Sequence, residues 1–400
     1  MSRPRADGKR SALFYWVYGF WLVVALIDTA SNATTLFGVP LQPLTVASTG
    51  LLTAYALIRA LGARFVPLEL AGYFLCFILG LYALTASDFA APLILILFLV
   101  AAKGADPERV ARTTLVGTVI GLVLVFASYS AGLAHDVVIR RIDGGIDRHS
   151  FGFIHPNTLA AVLFNALMAW YLLYNRSTRL RYKLPLAGFV VFNSLFLDSR
   201  STIFLGILLI VVWFGGRRGI LFLGRHVTAS LWVLLLVLVG ALYLTMSFDP
   251  KIEWHSWFDS LFSARFALGK AYTDTYGLGL VGQEVQLGKI SDPTLLARLE
   301  GSRGTVDAGY LHLALRAGLI VAACFTGALF VTFRRLARNG DVALAVCVAL
   351  VILSGLFETT VFSVLYAFPL LAVGMVRWEE GSRWERGLQR QVPAAAGKRD

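Results

Sequence analysis

The apolar positions of this chain fall into blocks. Runs of about 15 to 20 residues with hardly a charge recur along its whole length, parted by short polar breaks. A bilayer's hydrocarbon core is about 30 Å thick and takes about 20 helical residues to cross. The blocks near 11–30, 43–62, 66–85, 89–103, 112–134, 155–174, 184–198, 201–215, 227–246, 307–333, 342–358 and 361–377 therefore predict about twelve membrane-spanning helices. The pair at 184–198 and 201–215 is short, with only "DSR" between its members. The expected fold class is an all-α polytopic membrane protein, a single transmembrane domain over 1–378. The polar, basic sequence at 379–400 reads as a disordered cytoplasmic tail.

One polar interruption is large, at 247–306. Within it, "IEWHSWFDSLFSARFALGKAY" sets Trp254, Trp257, Phe258, Leu261, Phe262 and Phe266 three and four apart, which predicts a helix with one apolar face. Two placements fit it. Tryptophans suit a helix lying flat at the lipid headgroups, and the same face could pack on the tops of the spans. In either, Arg265 projects from this helix near the headgroups. The next stretch, "TYGLGLVGQE", lacks the spacing of a phosphate-binding loop and reads as a turn. No internal repeat is evident, which counts against transporters built from inverted halves.

Composition agrees with the blocks. The chain of 400 residues is 57% hydrophobic and 15% charged, whereas soluble domains are nearer a quarter charged. Its net charge of +12 would suggest nucleic acid if it were spread evenly. Instead most Lys and Arg gather in alternate loops: around 3–10, at Arg59 and Arg64, around 103–112, 176–183, 217–225 and 334–338, and after 377. The positive-inside rule places those loops and both termini in the cytoplasm, and no nucleic-acid partner is expected. The first apolar block has no convincing cleavage site and reads as an uncleaved anchor. Cys76, Cys324 and Cys347 all fall inside spans, with no disulfide or metal-binding spacing.

The informative charges are those at the opposite ends of the spans: Arg140, Arg141, Arg148, His155, Asp198, Arg200, Arg265, Asp307, His312, Arg316 and Glu358. Ionisable groups at membrane depth are costly and usually functional. Several are arginines, whose planar fork grips phosphate or carboxylate with two prongs. An arginine cluster at headgroup level is what a lipid-linked phosphate or diphosphate would require. Plainer roles compete with that one. Arg140, Arg141 and Arg148 could be solvated charges offset by Asp136, Asp143 and Asp147. In "HPN", Pro156 suits a first helical position with its polar neighbours capping it. "DSRS" could be a turn with Ser201 or Thr202 as the helix cap. Arg316 could pair with Glu358, with His312 one turn away on the same face.

Five segments, in this order, resemble the O-antigen ligase and Wzy-type polysaccharide polymerase superfamily. They are "RHSFGFIHPNTLAAVLF", "LDSRSTIFLGILL", "SLFSARFALGKAYTDTYGLGLVG", "VDAGYLHLALRAGLI" and "LFETTVFSVLYAFPLL". The likeness covers roughly 148–371 and rests on order and spacing around one large loop. It implies a glycosyltransferase C-type-like fold in the bacterial plasma membrane, and an inverting transferase that needs neither metal nor cofactor. The expected substrates are oligosaccharides on polyprenyl diphosphate, as donor and acceptor, joined at the outer face into capsule, exopolysaccharide or O-antigen. A chain-length regulator protein is an expected partner. Arg148, Arg200 and Arg265 take the positions of the diphosphate-binding arginines, with Arg140, Arg141 and Arg316 as further candidates. His155 would orient substrate, and Asp307 or Glu358 would act as base. The ligases usually carry histidine where Asp307 stands, so a polymerase is the reading preferred over a ligase. The rival of another class is a transporter or flippase for a lipid-linked saccharide.

Overall fold

A computed structural model describes residues 8–33, 35–36, 39–63, 65–140, 146–216, 226–261, 264–287, 306 and 308–376. Arg141, Asp307 and the tail at 379–400 lie outside the described residues. The architecture is all-α apart from two short antiparallel hairpins. Its helices are α1 (Gly8–Ala25), α2 (Leu41–Gly62), α3 (Pro67–Ser87), α4 (Ala91–Ala101), α5 (Pro107–Ser130), α6 (Pro156–Tyr174), α7 (Leu184–Phe192), α8 (Arg200–Phe214) and α9 (Val227–Met246). They continue with α10 (Glu253–Leu261), α11 (Arg265–Tyr276), α12 (Gly309–Ala317), α13 (Leu319–Asn339), α14 (Val342–Ser354) and the short α15 (Ala372–Met375). Strands β1 (Thr35–Leu36) and β2 (Val39–Pro40) form one hairpin, and β3 (Val138–Arg140) and β4 (Asp147–His149) form the other.

Eight of the described helical stretches are long and apolar enough to cross a membrane, and three shorter apolar helices accompany them: Ala91–Ala101, Arg200–Phe214 and Val342–Ser354. Their outer surface is greasy. Leu61, Phe74, Leu236 and Val211 are all exposed, which in water would be a liability and in lipid is the expected solvent contact. The chain is a polytopic helical membrane protein.

Close approach of small residues builds the bundle. A Cβ on Gly117 of α5 would sit 2.9 Å from Leu22 Cδ2 of α1, so the glycine lets that leucine pack closely against α5. The Tyr18 hydroxyl and Thr114 Oγ1, 2.8 Å apart, tie the same pair. Helix α6 is the centre, with 67% of its span buried against 17% for α3.

Two expected spans differ from straight helices. The block 307–333 breaks at Gly318, whose φ is +92°. The glycine-rich stretch after α11 crosses at that point. Gly279 and Leu280 carbonyls accept the Leu319 and Ile320 amides at 3.0 and 3.2 Å, and a Cβ at Gly318 would lie 2.5 Å from the Leu280 carbonyl oxygen. That stretch does more than turn the chain: it satisfies the amides that open α13. The block 361–377 is not one helix but two 3-10 turns, Thr359–Phe362 and Phe368–Leu371, followed by α15. Buried Asn165 of α6 holds this irregular backbone, donating to the Leu365 carbonyl (2.9 Å) and accepting from the Phe368 amide (2.8 Å). Non-helical backbone is tolerated at membrane depth where protein groups satisfy it in this way.

Candidate functional site

Most of the charges singled out by the sequence lie around the β3–β4 hairpin, the corner between α7 and α8, and the stretch that follows α14. The corner between α7 and α8 is knotted by Asn193. Its carbonyl accepts the Asp198 amide (2.6 Å), its Oδ1 accepts the Ser199 amide (3.0 Å), and its Nδ2 donates to Thr202 Oγ1 (2.7 Å). Asp198 takes the left-handed conformation at φ 43°, a state that short polar residues tolerate best after glycine. Ser199 is the helix cap position, not Ser201 or Thr202 as the sequence suggested. Ser201 is thereby left to point inward, where its hydroxyl donates to Glu358 Oε1.

Glu358 sits just past α14 at the head of the Thr359–Phe362 turn and is buried. Its Oε1 also accepts from Arg265 Nη2 at 3.3 Å, with the two side chains 12% and 8% exposed. The Arg265 guanidinium carbon lies 6.0 Å from the centre of the Phe357 ring. A carboxylate, a hydroxyl and a guanidinium from positions 201, 265 and 358 thus share one enclosed spot.

Arg265 is held by its local fold. The predicted single amphipathic helix is two helices, parted at Ala264 with φ 62°. Arg265 therefore opens α11 rather than projecting from the tryptophan-bearing helix. The cap of α11 comes from α10: Asp259 Oδ1 accepts the Phe266 and Ala267 amides at 2.8 and 3.2 Å. Burial pushes the Asp259 carboxyl up from its ordinary pKa, and the two amide bonds only partly offset that. Trp254 and Trp257 of α10 are exposed while His255 and Asp259 are buried. The tryptophans face away from the protein.

Arg148 is a strut. Its Nε donates to the Leu197 carbonyl (2.7 Å) and its Nη2 to Asn157 Oδ1, fastening the hairpin to the α7–α8 corner and to the start of α6. His155 caps α6 as "HPN" predicts, Nδ1 accepting the Asn157 amide at 3.0 Å with Pro156 as the first helical residue. Arg200 is exposed at the first turn of α8, one residue from Ser201. Arg140 is exposed on the hairpin, 3.7 Å from Asp147, a solvated pair that contributes little. The hairpin's base is fixed by Asp136, which accepts from His149 Nδ1 (2.6 Å) and from the Ser150 and Phe151 amides (2.8 and 2.9 Å). Burial alone would raise the Asp136 pKa. The bonds from His149 and the two amides outweigh it and hold the pKa below the ordinary 3.8.

Arg316 stands apart from this cluster. It donates to the Ser87 and Asp88 carbonyls that end α3 and stacks 4.7 Å over the Phe89 ring. His312 shares that ring, at 5.3 Å. The Arg316–Glu358 pair allowed by the sequence is not formed; Arg265 takes the carboxylate instead. Among the described residues, no group of three His, Cys, Asp or Glu is arranged to hold a metal.

Sequence reasoning singled out Arg265, Glu358 and Arg200 but missed three supports. Ser201 was visible only as a helix cap, Asn193 looked like one more residue of an apolar span, and Asp259 was passed over. No sequence signal pointed to Asp259, because the amides it caps lie seven and eight residues on, beyond the reach of an ordinary helix cap. Compared with known proteins, the sequence matches no family model and no curated protein.

Proposed function

We propose that this protein is a glycosyltransferase that polymerises oligosaccharide repeat units carried on polyprenyl diphosphate at the outer face of a bacterial plasma membrane. One observation carries the reading. Three of the segments that resemble the O-antigen ligase and polymerase superfamily, "LDSRS", "SLFSARF" and "LFETT", bring Ser201 and Arg265 onto the same oxygen of Glu358. Nothing in a merely structural bundle requires a buried carboxylate and guanidinium from such distant segments to converge. Removing charges of that kind from water is costly, and function is the usual reason they persist.

In this reading the chain crosses the bilayer about twelve times with both termini cytoplasmic. Its non-helical last span, Glu358 through Met375, counts as one crossing. The donor's diphosphate lies against Arg265 and the exposed Arg200, at headgroup level. An acceptor hydroxyl attacks the anomeric carbon from the side opposite the diphosphate. The bond from that carbon to the phosphate oxygen breaks, its electron pair leaves with polyprenyl diphosphate, and the anomeric centre inverts. The hydroxyl proton passes to Glu358. Protonating Glu358 removes the negative charge that Arg265 faces, so the guanidinium turns its full charge to the diphosphate as negative charge grows there. Ser201 orients the carboxylate throughout. Arg148, Asn157 and His155 brace the wall of the site, and Asp259 fixes the helix that presents Arg265.

The test is the purified protein in nanodiscs with a lipid-linked repeat unit. A ladder of products lengthening by one repeat is expected. A single transfer to an acceptor would make it a ligase. Movement of the lipid-linked saccharide across the bilayer without any new glycosidic bond would replace both with a transporter.

A further inference from the structure

At the other end of the bundle lies a cavity of about 380 Å³ that the transfer chemistry does not use. This is within the usual size of small-ligand sites. Its walls are almost wholly apolar, with Gly72 and Cys76 of α3, Leu95 and Leu99 of α4, and Cys324 and Phe325 of α13 among them. It is long rather than round. Its lining runs from Val66 to Cys76 beside α3 and from Val321 to Arg335 along α13. At the helical rise these stretches measure ~15 and ~20 Å. Set against a hydrocarbon core of about 30 Å, the lining runs for about half to two thirds of the thickness and also takes in Leu313 and Phe362.

Its polar groups lie where α3 begins and α13 ends. Glu69 is there, but its carboxylate is met by Lys103. Arg335 lines the same end and sits between Arg334 and Arg338 in sequence. The side toward the bilayer is open: Gly72 is exposed, and a Cβ built on it would meet nothing within 4 Å. Helix α3 is also the least buried of the long spans.

We propose that this cavity binds one acyl chain of an anionic glycerophospholipid from the leaflet on the side of the arginine-rich loops, with the lipid phosphate beside Arg335. Depth and charge select that occupant. A slot ~15 to 20 Å long and of about 380 Å³ holds one acyl chain, whereas a long polyprenyl tail overruns it. With Glu69 paired to Lys103, the Arg335 guanidinium at the mouth favours an anionic headgroup such as those of an inner leaflet. The bound chain fills the space between the loosely packed α3 and the rest of the bundle, so it acts as part of the fold. The proposal stands apart from glycosyl transfer and holds whichever reaction the opposite end performs.

The experiment is lipid analysis by native mass spectrometry of the full-length protein purified in mild detergent. Wild type is expected to retain one phospholipid per chain through washing. Gly72→Phe, which places a ring in the cavity from its open wall, is expected to lose it while keeping the elution volume of wild type. Ala328→Phe fills the same space from α13 and reads the same outcome if the first variant fails to fold. Arg335→Gln, reconstituted in phosphatidylglycerol against phosphatidylcholine, is expected to lose about fivefold of its preference for the anionic lipid, as for one basic residue near a membrane surface. Equal lipid retention by wild type and both filled variants would overturn the proposal. So would the recovery of a polyprenyl phosphate in place of a phospholipid, or no retained lipid at all.

Discussion

Two buried ion pairs, one at each end of the bundle, separate scaffold from site. Lys103–Glu69 joins a residue of the turn after α4 to one in the first turn of α3, with side chains 11% and 3% exposed, and Lys103 reaches both carboxylate oxygens. Lys103 also lies 5.3 Å from the centre of the Phe65 ring, and its carbonyl accepts from Arg59. This pair ties α3 to the turn after α4. Arg265–Glu358 is buried to a similar degree but made differently. It joins segments 93 residues apart through one nitrogen at 3.3 Å, and the same carboxylate oxygen is shared with Ser201. The first pair engages both oxygens of its carboxylate, whereas the second shares one oxygen between a guanidinium and a hydroxyl, and the proposed reaction draws on that shared carboxylate as its base. The similar burial of both shows that burial alone does not mark a functional charge.

That contrast can be broken most sharply at Glu358. Glu358→Gln keeps the shape and an acceptor for Ser201 but removes the base, so the rate of chain extension is expected to fall by ~10²–10⁴-fold. Lipid-linked donor binding should change far less; a rate within a fewfold of wild type would make the carboxylate structural. Lys103→Ala is the counterpart. Leaving Glu69 buried without its partner should cost about 3 kcal/mol of stability, read as an earlier unfolding transition in detergent. The transfer rate per folded molecule should stay near wild type.

Asp259→Ala probes how Arg265 is presented. Losing a helix cap costs about 1 kcal/mol, and the expected signature is a raised KM for the lipid-linked donor with a smaller change in kcat. Asp259→Asn retains an acceptor oxygen and should recover most of the loss; a fall in kcat alone would remove Asp259 as a positioning residue. The smallest effect is at the hairpin. Because the folded Asp136 carboxyl has a pKa below 3.8, its ionised form stabilises the fold at neutral pH. That contribution fades as pH falls from 3.8 through the lower folded value. Asp136→Asn should lower the melting temperature at pH 7 and close the gap to wild type toward pH 3; parallel curves would contradict the assignment.

Much of the scaffold was legible because apolar blocks are local features. The block at 227–246 coincides with α9, and the doubtful pair at 184–215 resolves into α7 and α8 with "DSR" at the corner. The two failures have distant causes. In "HLALRAGLIVAA" the single glycine is only a weak breaker signal, and the strand of chain at Leu280 that crosses there is distant in sequence. The last block reads as a helix because Asn165, 200 and 203 positions before the groups it binds, is what holds it open. The site divides in the same way. Its arginines stood out as charges on the wrong side of the topology. Which of them met Glu358 was decided by where α3 ends, since Ser87 and Asp88 claim Arg316 and leave the carboxylate to Arg265.

The most direct measurement is the single-turnover rate of Arg265→Ala with a purified lipid-linked repeat unit, beside Lys103→Ala as the control that breaks the other pair. A loss of ~10²–10³-fold in the first, as for one preorganised charge-stabilising donor, together with a near-normal rate in the second, is the predicted result. Wild-type product ladders from Arg265→Ala would contradict it.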